Sequence, residues 1–101
     1  MIFYFRSQEF TTDDFVRVKV VGQRGSSKVY VGQILSVDND NKEVNVSFMK
    51  ETKRKQEFLY YWPENKDIAW SEMSNILDKL EMPTLSDCST NRRLLYAFKD
   101  V

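Results

Sequence analysis

"VYVGQILSVD", Val29 to Asp38, decides the fold. Valine, isoleucine and leucine recur through it as in a buried strand, yet Gly32 stands in the middle, where a side chain is expected to pack. In a five-stranded barrel the longest strand must bend sharply. A position without a β-carbon permits that bend and a close approach of the neighbouring strand. In an ordinary sandwich the same glycine reads as a β-bulge. The runs on either side favour the barrel.

Upstream, "DFVRVKVVG" alternates Val16, Val18 and Val20 with Arg17 and Lys19, and closes through Gly22, Gly25, Ser26 and Ser27, so it predicts a half-buried strand and a loop. Downstream, "DNDN" (Asp38 to Asn41) has short side chains that tolerate the left-handed conformations of a tight hairpin. "EVNVSFM" then sets Val44, Val46 and Phe48 on one face and Asn45 and Ser47 on the other. "KETKRK", from Lys50 to Lys55, reads as a charged loop. "QEFLYYW", Gln56 to Trp62, reads as a fourth strand with Phe58, Tyr60 and Trp62 as an alternating stripe, stopped by Pro63. "DIAW" is short enough for a fifth. "SEMSNIL" predicts one helical turn capped by Ser71, with Met73, Ile76 and Leu77 at helical spacing. The expectation is an all-β fold: a small, strongly bent antiparallel barrel over residues 14–80, with Val16, Val18, Ile34, Val44, Val46 and Ile76 in its core. Residues 1–13 form an N-terminal extension and residues 81–101 a C-terminal one.

The 101 residues suit one domain with a modest core. Fifteen basic and fifteen acidic side chains cancel, so any affinity for nucleic acid must come from a local patch. The chain has no histidine and a single cysteine, Cys88, which excludes Ser-His and Cys-His nucleophile pairs and an internal disulfide. Asp13 and Asp14 are adjacent, so in a strand they point to opposite faces and do not flank one scissile bond. "DNDN" with Glu43 evokes a calcium loop but lacks the glycine at the sixth position and the glutamate at the twelfth. A binding protein without cofactor or metal is expected. No apolar run approaches the length of a membrane helix, and "MIFYFRSQEF" lacks the basic start and cleavage site of a secretory leader, so a nuclear or cytoplasmic home without a membrane partner is expected.

The order of a first strand, "YVGQI", "VNVSF" and a turn ending "SEMSNIL" resembles a Tudor domain, an SH3-like barrel. In that family an aromatic opens the bent second strand, a small residue follows two places on, and a helical turn precedes the last strand. "YYWPENKDIAWSEMSNILDKL" is also similar, more faintly, to C-terminal segments of transposon-derived animal proteins. The Tudor resemblance implies a cage of aromatic faces for methylated lysine or arginine on a protein partner, in a chromatin or ribonucleoprotein setting. Such cations keep their charge but are weakly hydrated, so each suitable ring contributes about 0.5 to 2 kcal/mol. Carried over residue by residue, the resemblance implies Tyr30 and Phe48 as walls and Tyr60, Tyr61 or Trp62 as further walls, with Glu57 or Asn65 as polar partner. Val20 and Val21 stand where the family often has an aromatic, and "KETKRKQ" replaces its glycine-containing turn.

Other readings of the same residues stand beside this. Phe48 is in register with Val44 and Val46 and reads as core. The "YYW" cluster reads equally as a docking patch for a protein partner without a cage. Lys50, Lys53, Arg54 and Lys55 read as a nucleic-acid contact or as a solvated loop. "NRRLLYAFK" reads as a helix capped by Ser89 or Thr90, or as a strand pairing with "MIFYF".

Overall fold

A computed structural model describes residues 9–54, 57–86 and 94–99. The strands are β1 (Phe15–Val21), β2 (Ser27–Asp38), β3 (Glu43–Phe48), β4 (Lys50–Arg54), β5 (Glu57–Tyr61), β6 (Asp67–Glu72), β7 (Ile76–Leu80), β8 (Thr84–Ser86) and β9 (Leu95–Ala97). Short 3₁₀ turns at Gln23–Gly25 and Met73–Asn75 are the helical elements among the described residues. Two sheets form, one of five strands in the order β6-β3-β2-β1-β7 and one of four in the order β4-β5-β9-β8. All the pairings are antiparallel. The five-stranded sheet ends in β6 and β7, which are consecutive in the chain and joined by the three-residue turn Met73–Asn75. So short a link carries the chain from one edge of the sheet to the other, which requires the sheet to curl into the small, strongly bent barrel that the sequence predicts, with β6 and β7 themselves not paired to each other.

β2 makes the curl. Its first half pairs with β1 and its second half with β3, and both ladders include Gly32, which lies opposite Val16 on one side and Phe48 on the other. A β-carbon at Gly32 would stand 2.4 Å from Val46 Cγ1 and 2.8 Å from the Ser47 carbonyl oxygen, so a glycine is needed for the strands to approach this closely. The turn before β2 takes its glycine for a different reason, because Gly25 has φ of 76°. After β2, the Asp38 carboxylate accepts from the main-chain N–H groups of Asp40 and Asn41 at 3.1 and 3.2 Å and from Asn41 Nδ2 at 2.8 Å, which closes the predicted hairpin.

Alternation along β1 and β2 serves two cores. One face contributes Val16, Val18 and Ile34, which pack with Val44, Val46, Phe48 and Ile76 inside the barrel. The other face contributes Phe15 and Val31, which pack with Met49, Tyr60 and Phe98 against the four-stranded sheet. All six core residues expected from the sequence are buried. Each fully buried aliphatic side chain among them stabilises by about 1.5 to 3 kcal/mol relative to exposure. The apolar residues on both faces of "VYVGQILSVD" thus mark a strand shared between two packed layers.

Several local expectations are corrected. "KETKRK" is not a loop as far as Arg54: it forms β4, with Lys50 opposite Tyr61 and Lys53 opposite Phe58. Strand pairing overrides the low β-propensity of charged residues here, because Lys53 lays its stem along an aromatic and holds Nζ 5.5 Å from the Phe58 centroid. Phe58 is nonetheless exposed, which interrupts the expected stripe, while Tyr60 is buried and Trp62 partly so. β5 ends at Tyr61 and belongs to the second sheet, so the barrel's fourth strand is β6 instead. β6 continues to Glu72, so Ser71 is a strand residue opposite Val44 and not a cap; Glu72 precedes the turn and makes no side-chain capping bond. Ile76 and Leu77 begin β7, where Ile76 faces Val18 in the core. At the C-terminus Leu95–Ala97 is a strand, pairing with β8 and with Tyr60 of β5. The expected pairing with "MIFYF" and the caps Ser89 and Thr90 lie outside the described residues.

Candidate functional site

Gly32 shapes a cleft as well as a bend. Tyr30 shares its face of β2 with Gly32 and Ile34, at the end where that face leaves the barrel interior. The missing β-carbon lets the Phe48 ring lie across β2, since Phe48 Cδ1 would be only 3.3 Å from it. Phe48 therefore meets Tyr30, with ring centroids 6.1 Å apart and planes at 73°, one edge against one face. Phe48 is buried and Tyr30 is 38 % exposed, so Phe48 makes a floor and Tyr30 a wall.

On its other side Phe48 pairs with Asp67 of β6. Directly paired residues share a face, so the carboxylate stands beside the floor. Val20, Tyr30, Phe48, Asp67, Ala69 and Ser71 line a cleft of about 330 Å³, with Trp70 at its rim. A second cleft of about 370 Å³ lies against Tyr30 and Asp67 too, and runs to Lys28, Met49, Lys50, Glu51 and Tyr60. Tyr30 and Asp67 are common to both. Lys28 holds its Nζ 5.8 Å from the Tyr30 centroid, so this ring already carries an ammonium group of the chain itself. Tyr60 contributes a wall to the second cleft while its ring packs edge-on to Phe98 at 5.4 Å. Burial pushes its hydroxyl pKa up and the nearby Glu51 charge adds to this, against a smaller opposing effect of Arg17. The phenol remains a neutral hydrogen-bonding group across the ordinary pH range.

The structure separates the remaining residues singled out in the sequence. Trp62 packs towards Phe15, with centroids 6.4 Å apart, in the second core. Tyr61 is half-buried at the β4 end of the hairpin, opposite Lys50. Neither lines a cleft described above. Asn65 lies in the exposed bend before β6 and is not among the residues that line either cleft. Glu57 pairs with Arg54 four positions along β5 from Tyr61, and the side chains of Glu57 and Arg54, like Lys55 altogether, lie outside what is described. Lys50 lines the second cleft and Lys53 covers Phe58. The acid beside the aromatics is Asp67, which sequence reasoning missed. Its position depends on β3 pairing with β6 across an inserted hairpin, and no local pattern announces that register.

Among the described residues no group of three or more His, Cys, Asp or Glu is placed to hold a metal, and no helix is long and apolar enough to cross a membrane. No protein-family model, curated protein or solved structure matches the chain.

Proposed function

We propose that this chain is a binding module, not an enzyme, that holds a cationic side chain of a protein partner between Tyr30, Phe48 and Asp67. The ligand class is a methylated lysine or arginine, and the setting that follows from it is a nuclear chromatin or ribonucleoprotein assembly. The observation that carries this reading is the perpendicular Tyr30–Phe48 pair opening on a carboxylate, with a lysine ammonium already over the Tyr30 face. A methylated cation is attracted by ring faces at little desolvation cost, by about 0.5 to 2 kcal/mol per ring, and the carboxylate adds direct charge attraction. Val20 and Ala69 leave the opposite wall low, which suits a bulky methylated head more than a flat one.

Titration of the chain with matched trimethyllysine, dimethylarginine and unmodified peptides, followed by calorimetry, tests it. A methylated peptide should bind more tightly than its unmodified counterpart. Tyr30→Ala should weaken that binding by about 1 to 2 kcal/mol and leave the unmodified peptide nearly unchanged. Equal affinities for both peptides, or indifference to Tyr30→Ala, overturn the reading.

A second reading, docking of a protein without any cage, is favoured by the exposed Ile68 and Trp70 on β6. It predicts that the affinity for a partner follows those side chains and ignores methylation.

A further inference from the structure

We propose that β6 is the interface of a two-fold symmetric dimer of this chain. β6 ends the five-stranded sheet, and among the described residues no strand pairs with its outer side. Which main-chain groups face outward follows from two bonds. Met73 N–H donates to the Lys42 carbonyl at 2.9 Å, and Met49 N–H donates to the Val31 carbonyl at 2.8 Å. In an antiparallel ladder the bonded pairs alternate. Both bonds put Val44, Val46 and Phe48 in the pairs bonded to β6, with Ser71, Ala69 and Asp67 as their partners. The N–H and C=O groups of Ile68, Trp70 and Glu72 therefore point to the open edge.

The side chains on that edge are self-complementary. Lys66, immediately before β6, and Ile68, Trp70 and Glu72 follow one another on the outer face, where Ile68 is 44 % and Trp70 53 % exposed. A two-fold axis at Ala69 sets Lys66 opposite the partner's Glu72 and Ile68 opposite the partner's Trp70, and then the same contacts in reverse. Opposite charges and aromatic with β-branched residues are the cross-strand pairs that stabilise a sheet. On the other face Asp67 meets the partner's Ser71, a carboxylate against a hydroxyl, and Ala69 meets the partner's Ala69 with no bulk between them. A two-fold interface requires such a palindrome. Other registers lose the opposite-charge pair: a slip by one residue bonds nothing, because outward groups then face inward ones, and a slip by two sets Glu72 over Ile68 in one direction and Glu72 over Glu64 in the other. β4, one edge of the second sheet, carries Lys50 and Lys53, and β7, the other edge of the first, carries Lys79, which blunt them against pairing, whereas β6 has neither lysine nor proline. Asp67, Ala69 and Ser71 also line the aromatic cleft, so the dimer brings two clefts edge to edge.

Cross-linking of the full chain in a Cys88→Ser background tests the register. Ala69→Cys should give a disulfide-linked dimer on mild oxidation, because a non-bonded antiparallel pair holds its α-carbons about 4.5 Å apart, within reach of a disulfide. Trp70→Cys, one residue along and facing Ile68, should not. By sedimentation at about 100 µM, where even a weak interface is populated, the chain should run at twice its monomer mass of 12.0 kDa. Lys66→Glu should weaken association about tenfold, since two attractive pairs become repulsive, and adding Glu72→Lys should restore it. A monomer at that concentration, equal cross-linking at both positions, or a double exchange that does not rescue overturns the proposal.

Discussion

A methyl group placed at Gly32 meets Val46 Cγ1 on one side and main-chain oxygen on the other, and the oxygen has nowhere to go. Gly32→Ala is expected to destabilise the chain by about 1 to 3 kcal/mol, the usual cost of overpacking a close-fitting site. The urea midpoint should fall with the slope unchanged. Because the Phe48 ring uses the same space, cation binding should weaken in the folded fraction as well. A second residue-scale feature is the fork from Arg17 Nε and Nη2 to the two Asp78 oxygens, at 2.8 and 2.6 Å, which joins β1 to the closing strand β7. The hydrogen bonds from Arg17 hold the Asp78 carboxyl below its ordinary 3.8. The pair's stabilisation is therefore present above that ordinary value and lost as pH falls through the lower, folded one. Both side chains are about a third exposed, so its size is about 1 kcal/mol or less. Asp78→Asn should remove that part of the acid dependence, so wild type and variant should draw together in urea titrations as pH falls through the lowered value of the folded carboxyl.

At the scale of elements, β2 is a twelve-residue strand whose neighbour changes halfway along and whose two faces enter different cores. Its hydrophobic pattern was legible as a strand and its glycine as a bend. The second core was not, because Tyr60 of β5 and Phe98, just after β9, come to it from far along the chain. Phe98 holds that core together, with centroids 5.3 Å from Phe15 and 5.4 Å from Tyr60, both edge-on. Phe98→Ala should cost about 3 kcal/mol or more. The loss should be uneven: hydrogen exchange should accelerate first in β8, β9 and β5 and least in β1 to β3, whose barrel core it does not touch. Uniform acceleration throughout would instead mean that the two layers open as one unit.

For the whole molecule, that outcome bears on cooperativity. β1 buries Val16 and Val18 in one layer and Phe15 in the other, so loss of the barrel removes a wall of the second core and loss of the second sheet exposes one face of a barrel strand. Unfolding is expected to be a single transition, with Trp62 fluorescence in a Trp70→Phe background, reporting the second core, coinciding with far-ultraviolet dichroism, reporting both sheets. Separate midpoints would show a barrel that outlasts its attached sheet.

The sequence by itself determined the strand character of most segments, the six residues at the centre of the barrel and the reason for Gly32, because these follow from alternation and from backbone geometry within a few residues. Alternation also read Phe48 as core, where its ring is buried, whereas it was the resemblance and not the local pattern that singled out Tyr30 and Phe48 together. Only the tertiary structure decided that Lys50–Arg54 is a strand, that Ser71 pairs and does not cap, and that Glu57–Tyr61 leaves the barrel for a second sheet. The same holds for Asp67: thirty-five residues separate it from Gly32, yet both flank Phe48. Which strands become neighbours across an inserted hairpin is settled by the burial of two whole faces at once, and no local propensity carries that information.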